Sequence, residues 1–270
     1  MTDRKVITEL MDLGYLKWSH VRSSSGTAGT FLKSESVIDG RKHYYKLSNF
    51  DPVHGVVGHE CVNEIIVDRL LSLLGVEHVP YTLIHAEIQI DGKKYTTWLC
   101  ESGDFKQPGE SKTALDNYYT SNREAEESRL DFCIRNGWQG YVETMLAVDY
   151  LILNRDRHGA NIEVLRNART RTLRLAPLFD HGLSLLCSCL TEEEAKRFDV
   201  MEDRRCQNFI GGFSCFENLN LIRDRRTVFQ GTLKAENRDA VFDGLEEVMP
   251  HIFIEKIWDM IWERYKVLMG

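Results

Sequence analysis

Two aspartates and one asparagine in the stretch 153–183, LNRDRHGANIEVLRNARTRTLRLAPLFDHGL, have the types and spacing to do chemistry. Asp156 stands five residues before Asn161, two apolar runs follow with the charged turn 166–171 between them, and Asp180 closes the segment just before Gly182. Paired apolar runs across a polar turn predict a hairpin, which returns the chain to its starting end. Asp156, Asn161 and Asp180 then converge, and two carboxylates with one amide oxygen form the hard, all-oxygen set that Mg²⁺ takes. Taken singly, Asp and Asn in loops are turn formers and caps. In this order they match what phosphoryl transfer needs: one Asp orients the attacking hydroxyl, while the Asn and the second Asp hold the metal that bridges the phosphates.

The flanking elements must hold this set in place. Residues 141–153 read as a strongly apolar helix that empties into the polar loop 154–161. A second long helix is predicted over 252–269, with Ile254, Ile257, Trp258, Ile261, Trp262 and Tyr265 on its buried stripe. The first hundred residues have a different texture. Strand candidates lie at 43–47, 81–84, 86–90 and 94–100, with turn signals at Asp39-Gly40 and Asp91-Gly92. A helix is predicted over 59–74, where Val62, Ile65, Ile66, Leu70, Leu73 and Leu74 recur at three and four before Gly75. From 101 to 128 charge, Gly, Ser and Asn gather around Pro108, which predicts a link and a partly ordered insertion. The expected fold class is α+β, with a β-rich unit over 1–103 and a larger, mostly helical unit over 104–270.

Composition narrows the possible roles. A chain of 270 residues with 43% apolar and 28% charged side chains has room for a large core, which excludes disordered, collagen-like and disulfide-scaffold classes. No apolar run approaches the ~18 residues of a membrane span. The balance of 34 basic against 41 acidic residues, net −7, has the wrong sign for broad attraction to nucleic acid, so an anionic ligand must be met by local groups. Seven cysteines and a charged N-terminal opening, MTDRKVITEL, predict a reduced, unprocessed, cytoplasmic protein. Cys187, Cys189, Cys206 and Cys215 form the tightest cysteine group, but its C-x-C opening departs from the spacing of structural zinc sites. Buried thiols acting as small hydrophobes are the expected reading.

Asp156, Arg157, His158, Gly159, Ala160 and Asn161, together with Leu175, Ala176, Pro177, Leu178, Phe179 and Asp180, resemble the catalytic and metal-binding loops of the HipA-like serine/threonine kinases. The Asp-Arg-His opening also resembles the phosphoinositide kinases, which share this wider, atypical kinase fold. The match is strong over this one segment and loose elsewhere, so it speaks to fold and activity class and not to substrate. It implies a two-lobed protein-kinase-like fold that uses ATP and Mg²⁺. Asp156 would be the catalytic base or hydroxyl-orienting residue, Asn161 and Asp180 the metal ligands, and His158, Gly159 and Ala160 the backbone near the phosphates. His158 equally fits a structural histidine bonded to its own loop. The family's additional N-terminal subdomain has no room here, which implies a minimal kinase core and leaves antitoxin and DNA-bound partners untransferred. Residues 183–212, with the acidic run Glu192, Glu193 and Glu194, take the place of an activation or substrate segment.

The same resemblance orders the upstream residues. Ser23, Ser24, Ser25, Gly26, Thr27, Ala28, Gly29 and Thr30 would be the phosphate-covering loop, although they form neither a G-x-G-x-x-G nor a P-loop motif. Lys46, alone among apolar and aromatic neighbours, would meet the α and β phosphates; its bland alternative is an edge-strand lysine facing water. Glu60 and Glu64 share a helix face as candidate partners for that lysine, and Glu64, deeper in the apolar run, is the expected one. Glu101, Ser102 and Gly103 would be the interlobe hinge at the adenine edge. The implied activity is an ATP- and Mg²⁺-dependent protein kinase acting on Ser or Thr hydroxyls, with Ser23, Ser24, Ser25 and Thr27 as candidate self-acceptors. Two alternatives stand beside it. A lipid or small-molecule kinase is favoured by Asp-Arg-His but opposed by the lack of a basic amphipathic stretch. A nucleotide-binding pseudokinase scaffold is opposed by the presence of every acidic residue the chemistry needs. ATP and a protein substrate are the expected partners, with no direct nucleic acid and no membrane.

Overall fold

Side chains alternate across a strand, and in this protein that alternation divides the N-terminal sheet between two cores. The computed structural model describes residues 5–19 and 31–270. β1 (Val6–Asp12), β2 (Lys33–Ile38), β3 (Arg41–Leu47), a two-residue hairpin of β4 (Phe50–Asp51) and β5 (Gly55–Val56), α1 (Glu60–Leu74), β6 (Tyr81–Ile90) and β7 (Lys93–Gly103) come first. Five of these strands form one sheet in the order β1-β6-β7-β3-β2, with β1 parallel to β6 and the other pairs antiparallel. The two Asp-Gly turns join β2 to β3 and β6 to β7, with Asp39, Gly40, Asp91 and Gly92 all at positive φ, as a type I′ hairpin turn requires.

On one face of the sheet Tyr45, Leu47, Ile84, Ala86, Ile88 and Leu99 pack with Leu13, Leu16 and Leu32. On the other, Leu83 and Cys100 meet α1, whose Ile65, Ile66, Leu70 and Leu74 belong to the large core that continues into the rest of the molecule. α1 is buried on nearly every side. The helix over 59–74 is thus present, whereas the strands expected at 81–84 and 86–90 are one strand, β6. His85 between them pairs with Trp98 in an unbroken ladder, and no turn residue interrupts it.

The remainder is β8 (Glu110–Ala114), α2 (Leu115–Asn122), α3 (Arg129–Arg135), α4 (Gln139–Leu151), β9 (Asp156–Arg157), β10 (Glu163–Asn167), β11 (Thr172–Leu175), α5 (Glu192–Arg197), β12 (Gln207–Asn208), α6 (Cys215–Asn218), α7 (Arg238–Phe242) and α8 (His251–Met269). The stretch 101–128, expected to be a link with a partly ordered insertion, instead carries the end of β7, β8 and α2. β8 pairs with β10 at the edge of the three-stranded sheet β11-β10-β8, and its polar, largely exposed residues hide it from any search for apolar alternation. The hairpin predicted downstream of Asn161 is β10 and β11. β11 stops at Leu175, ahead of Pro177, which has no N–H to give a ladder. The chain then bonds back to the first part of the molecule: Leu178 N donates to Glu77 O and Val79 N to Leu178 O.

α4 and α8 supply the C-terminal core. Of the stripe predicted on α8, Ile254, Ile257, Trp258, Ile261 and Tyr265 are buried and Trp262 is half-buried. No helix among the described residues is long and apolar enough to cross a membrane. The seven thiols are free, six buried and Cys187 half-buried, and the described residues contain no His, Cys, Asp or Glu cluster suited to a metal.

One close approach ties the C-terminal region to α1. The Gln230 and Gly231 amides donate to Leu74 O at the helix end, and a Cβ at residue 231 would lie 2.1 Å from Leu73 O. Gly140, inside α4, has open space around its Cβ position. Gly231→Ala is therefore expected to destabilise by about 1–3 kcal/mol or more, and Gly140→Ala to stabilise by up to about 1 kcal/mol. Urea unfolding of both variants measures the contrast.

Candidate active site

Lys46 occupies the centre of the site because of its place in β3. Tyr45 and Leu47 point into the core on one face of the sheet, so Lys46 points to the other, toward α1. β3 lies between β2 and β7, so this is not an edge lysine, and its side chain is only 12% exposed. Its ammonium lies 3.0 Å from Glu64 Oε1 and 2.5 Å from Asp180 Oδ1. Burial opposes its charge, but Asp180 and Glu64 outweigh burial and hold the lysine well above its ordinary pKa. Asp180 is half-buried, and burial opposes its charge, yet Lys46 and then Lys33 hold its carboxyl far below the usual range, so it stays ionised.

Glu64 has no exposed side-chain surface. Besides Lys46 it accepts hydrogen bonds from His181 N at 2.9 Å and Gly182 N at 3.0 Å. One residue earlier, Asn63 Nδ2 donates to Gly182 O and Ser184 O. α1 thus grips both the lysine and the loop after Asp180. Glu60 does not reach Lys46; its carboxylate accepts from Asn49 N.

The loop holding Asp156 and Asn161 hangs on a buried ion pair. Arg157, fully buried, reaches Asp149 of α4 with Nη2 at 3.0 Å and Nε at 3.2 Å from each carboxylate oxygen. Its Nη1 donates to Asn161 O and Phe179 O, so one guanidinium spans both loops of the candidate site. Asn154 Nδ2 also donates to Asp149, and Asn154 Oδ1 accepts from Asp156 N. Asn161 Nδ2 donates to Asp156 O at 2.8 Å, which leaves Oδ1 as the amide's acceptor. An ionised Asp180 and this amide oxygen are hard donors whose chemistry fits Mg²⁺. Burial raises the Asp156 pKa, His158 opposes the rise and Asp180 adds to it. Asp156 is therefore the more basic of the two carboxylates.

A cavity of about 410 Å³ opens beside this cluster, a size suited to a small organic ligand, and Lys46, Asp180, Tyr81, Ser102, Phe105 and Phe179 are among its lining residues. Phe105 and Phe179 stack with ring centroids 5.5 Å apart. Of the expected hinge, Ser102 and Gly103 line the cavity, whereas Glu101 does not: its carboxylate lies 2.5 Å from His43 Nδ1. All three residues are the end of β7 and not a separate linker. His158, Gly159 and Ala160 do not line the cavity. His158 Nδ1 accepts from Ala160 N and caps the turn, and a Cβ on Gly159 would come within 2.6 Å of Asp116 Cβ, so this backbone packs on α2. Ser24, Ser25, Gly26, Thr27, Ala28 and Gly29 lie outside the described residues.

Several residues here had no role in the sequence reading. Asp149 is the one charged residue in the apolar run 145–153, a pattern that signals a buried partner. Phe105 is the one aromatic between Trp98 and Tyr118, in a polar part of the chain. Tyr81, whose hydroxyl accepts from Asp180 N at 3.4 Å, carried no signal beyond starting a strand.

Removing Arg157 leaves Asp149 buried and uncompensated. Arg157→Met is expected to destabilise by about 3–5 kcal/mol, and adding Asp149→Leu to recover a large part of the loss. A double-mutant cycle by denaturant unfolding reads this directly; additive costs would show that the pair is not coupled.

No family model and no curated protein matches the chain. Among solved structures it is similar to the proinflammatory kinase CtkA of Helicobacter pylori, with a TM-score of 0.65, 15% identity and 96% of each chain covered. A weaker likeness, TM-score 0.41 at 14% identity, covers 90% of this chain and 57% of the HipA toxin of Shewanella oneidensis, solved with HipB and operator DNA. At such identities a likeness speaks to architecture, and the first is close enough to do so. The chain therefore has a kinase-like α+β fold, with its main sheet in the N-terminal part and its helices mostly in the C-terminal part.

Proposed function

We propose that this protein is a kinase that transfers the γ-phosphoryl group of ATP to a Ser or Thr hydroxyl of a protein, with Mg²⁺. The observation that carries the reading is Lys46 held between Glu64 and Asp180 in the lining of a ligand-sized cavity. The loop of Asp156 and Asn161 is bonded through Arg157 to the segment that ends in Asp180. The β-rich part over 1–103 and the helical part over 104–270 are read as the two lobes of one catalytic unit.

In this reading each residue has one task. Lys46, kept charged and in place by Glu64, meets the α and β phosphates. Asn161 and Asp180 would hold Mg²⁺, which when bound supplies neutralising charge to the phosphates. Asp156 accepts the proton of the attacking hydroxyl as its oxygen bonds the γ phosphorus and the bond to ADP breaks. Phe105, Phe179 and Tyr81 offer the flat apolar surface that a purine base requires.

Transfer of label from γ-labelled ATP to a generic protein acceptor tests the proposal. Asp156→Asn is expected to lower the rate by about 10²–10⁴ while leaving ATP binding intact. Asp180→Asn is expected to remove the dependence of ATP binding on Mg²⁺. Full activity in both variants would overturn the reading. The pH profile gives a separate check. A base must be ionised to accept a proton, and the Asp156 pKa is raised, so activity falls as the solution is acidified through that raised value. The acid limb of kcat/KM is expected above the ordinary aspartate range near ~4, and a rate that stays flat down to that range contradicts the assignment of Asp156 as base.

A further inference from the structure

The cleft is locally basic although the chain carries a net charge of −7. Lys17, Lys33, Lys46 and Lys112 line the cavity, against Glu35 and Asp180 as lining acids. Most of these charges are already engaged. Lys46 pairs with Asp180 and Glu64, Lys112 with Glu163, and Glu35 with Lys42 outside the cavity. Lys33 and Lys17 form no ion pair among the described residues.

The register of the sheet distinguishes Lys33 from Lys17. Lys33 on β2 is the direct Cα partner of Lys46 on antiparallel β3. Residues opposite one another in a ladder share a face, with Cβ atoms about 4.5–5.5 Å apart, and like charges so placed destabilise the sheet. Two cationic side chains of adjacent strands therefore face one cleft, Lys46 in ion pairs and Lys33 in none among the described residues. A second cation set opposite the first is accounted for by an anion with more charge than the two carboxylates supply.

We propose that Lys33 and Lys46 form a two-lysine cradle for a polyphosphate, with Lys33 as a further phosphate-contacting residue. The inference deepens the kinase reading and rests on it for the adenine half of the ligand. For the phosphate half it rests on the register and charge balance alone. Lys33 is the first residue of β2, and in this proposal it contacts the phosphate tail and leaves the base untouched.

Calorimetric titration of the full chain with Mg²⁺ and, separately, ATP, inorganic tripolyphosphate and adenosine tests the cradle. Lys33→Gln is expected to weaken ATP and tripolyphosphate by about tenfold or more, the range for a lost charge-assisted hydrogen bond. Adenosine binding is expected to be unchanged, and Lys33→Arg to retain most of the phosphate affinity. Lys33 is exposed, and its removal relieves like-charge repulsion, so the ligand-free Lys33→Gln protein is expected to unfold at the same or higher denaturant concentration. If the wild type and Lys33→Gln bind ATP and tripolyphosphate equally, the cradle is refuted while the kinase reading stands. If tripolyphosphate binding depends on Lys33 but ATP binds no better than tripolyphosphate, the adenine reading fails and the cradle stands. Binding of neither by the wild type refutes both.

Discussion

A buried carboxylate cannot remain ionised without donors around it, and Glu64 meets that constraint in the way that organises the rest of the molecule. It accepts from Lys46 on the sheet and from the His181 and Gly182 amides in the loop after Asp180. A helix, a strand and a loop from distant parts of the chain are thereby brought to one point. Losing any of these donors would leave charge unpaired in the protein interior. The same neighbourhood keeps His181 neutral, because burial, followed by the positive charge of Arg157, pushes its pKa well below the ordinary histidine value.

The second constraint is local strain held by surrounding bonds. Leu153, Asp180 and Leu185 all have left-handed backbone, with φ of 52°, 58° and 55°. Such a conformation is unusual for a bulky leucine and survives only where the surroundings over-determine it. Those surroundings are visible. Arg155 N donates to Leu183 O, Leu185 N to Ile152 O, and Arg157 ties Asn161 and Phe179 to Asp149. The parallel pairing of β12 with β9 closes the far side of the loop. The three polar side chains of the candidate site are thus held by backbone geometry and not by loop chance, which is what positioning catalysis requires.

Much of this was legible because it rests on short-range rules. The Asp-Gly turns, the three-and-four spacing in α1, the stripe of α8 and the hairpin between Asn161 and Asp180 each follow from a pattern a few residues long. What stayed hidden depended on partners far away in sequence. β8 has no apolar alternation because it is a polar edge strand, and only its pairing with β10 makes it a strand. Residues 81–90 contain His85 between two apolar runs, and the partner strand, not the sequence, joins them. Glu101 matched the expected hinge by order alone, but the ladder placed it opposite Tyr45 and beside His43, where it pairs with a histidine.

The residue types capable of phosphoryl transfer, their order and the α+β class were set by the sequence alone, because they depend on chemistry and on local periodicity. The turn of Lys46 inward between two acids, the buried Asp149–Arg157 pair and the facing of Lys33 against Lys46 were decided only by tertiary structure. Each of these depends on which strand lies next to which and on how much water is excluded between them. Neither quantity is carried by any short stretch of the chain.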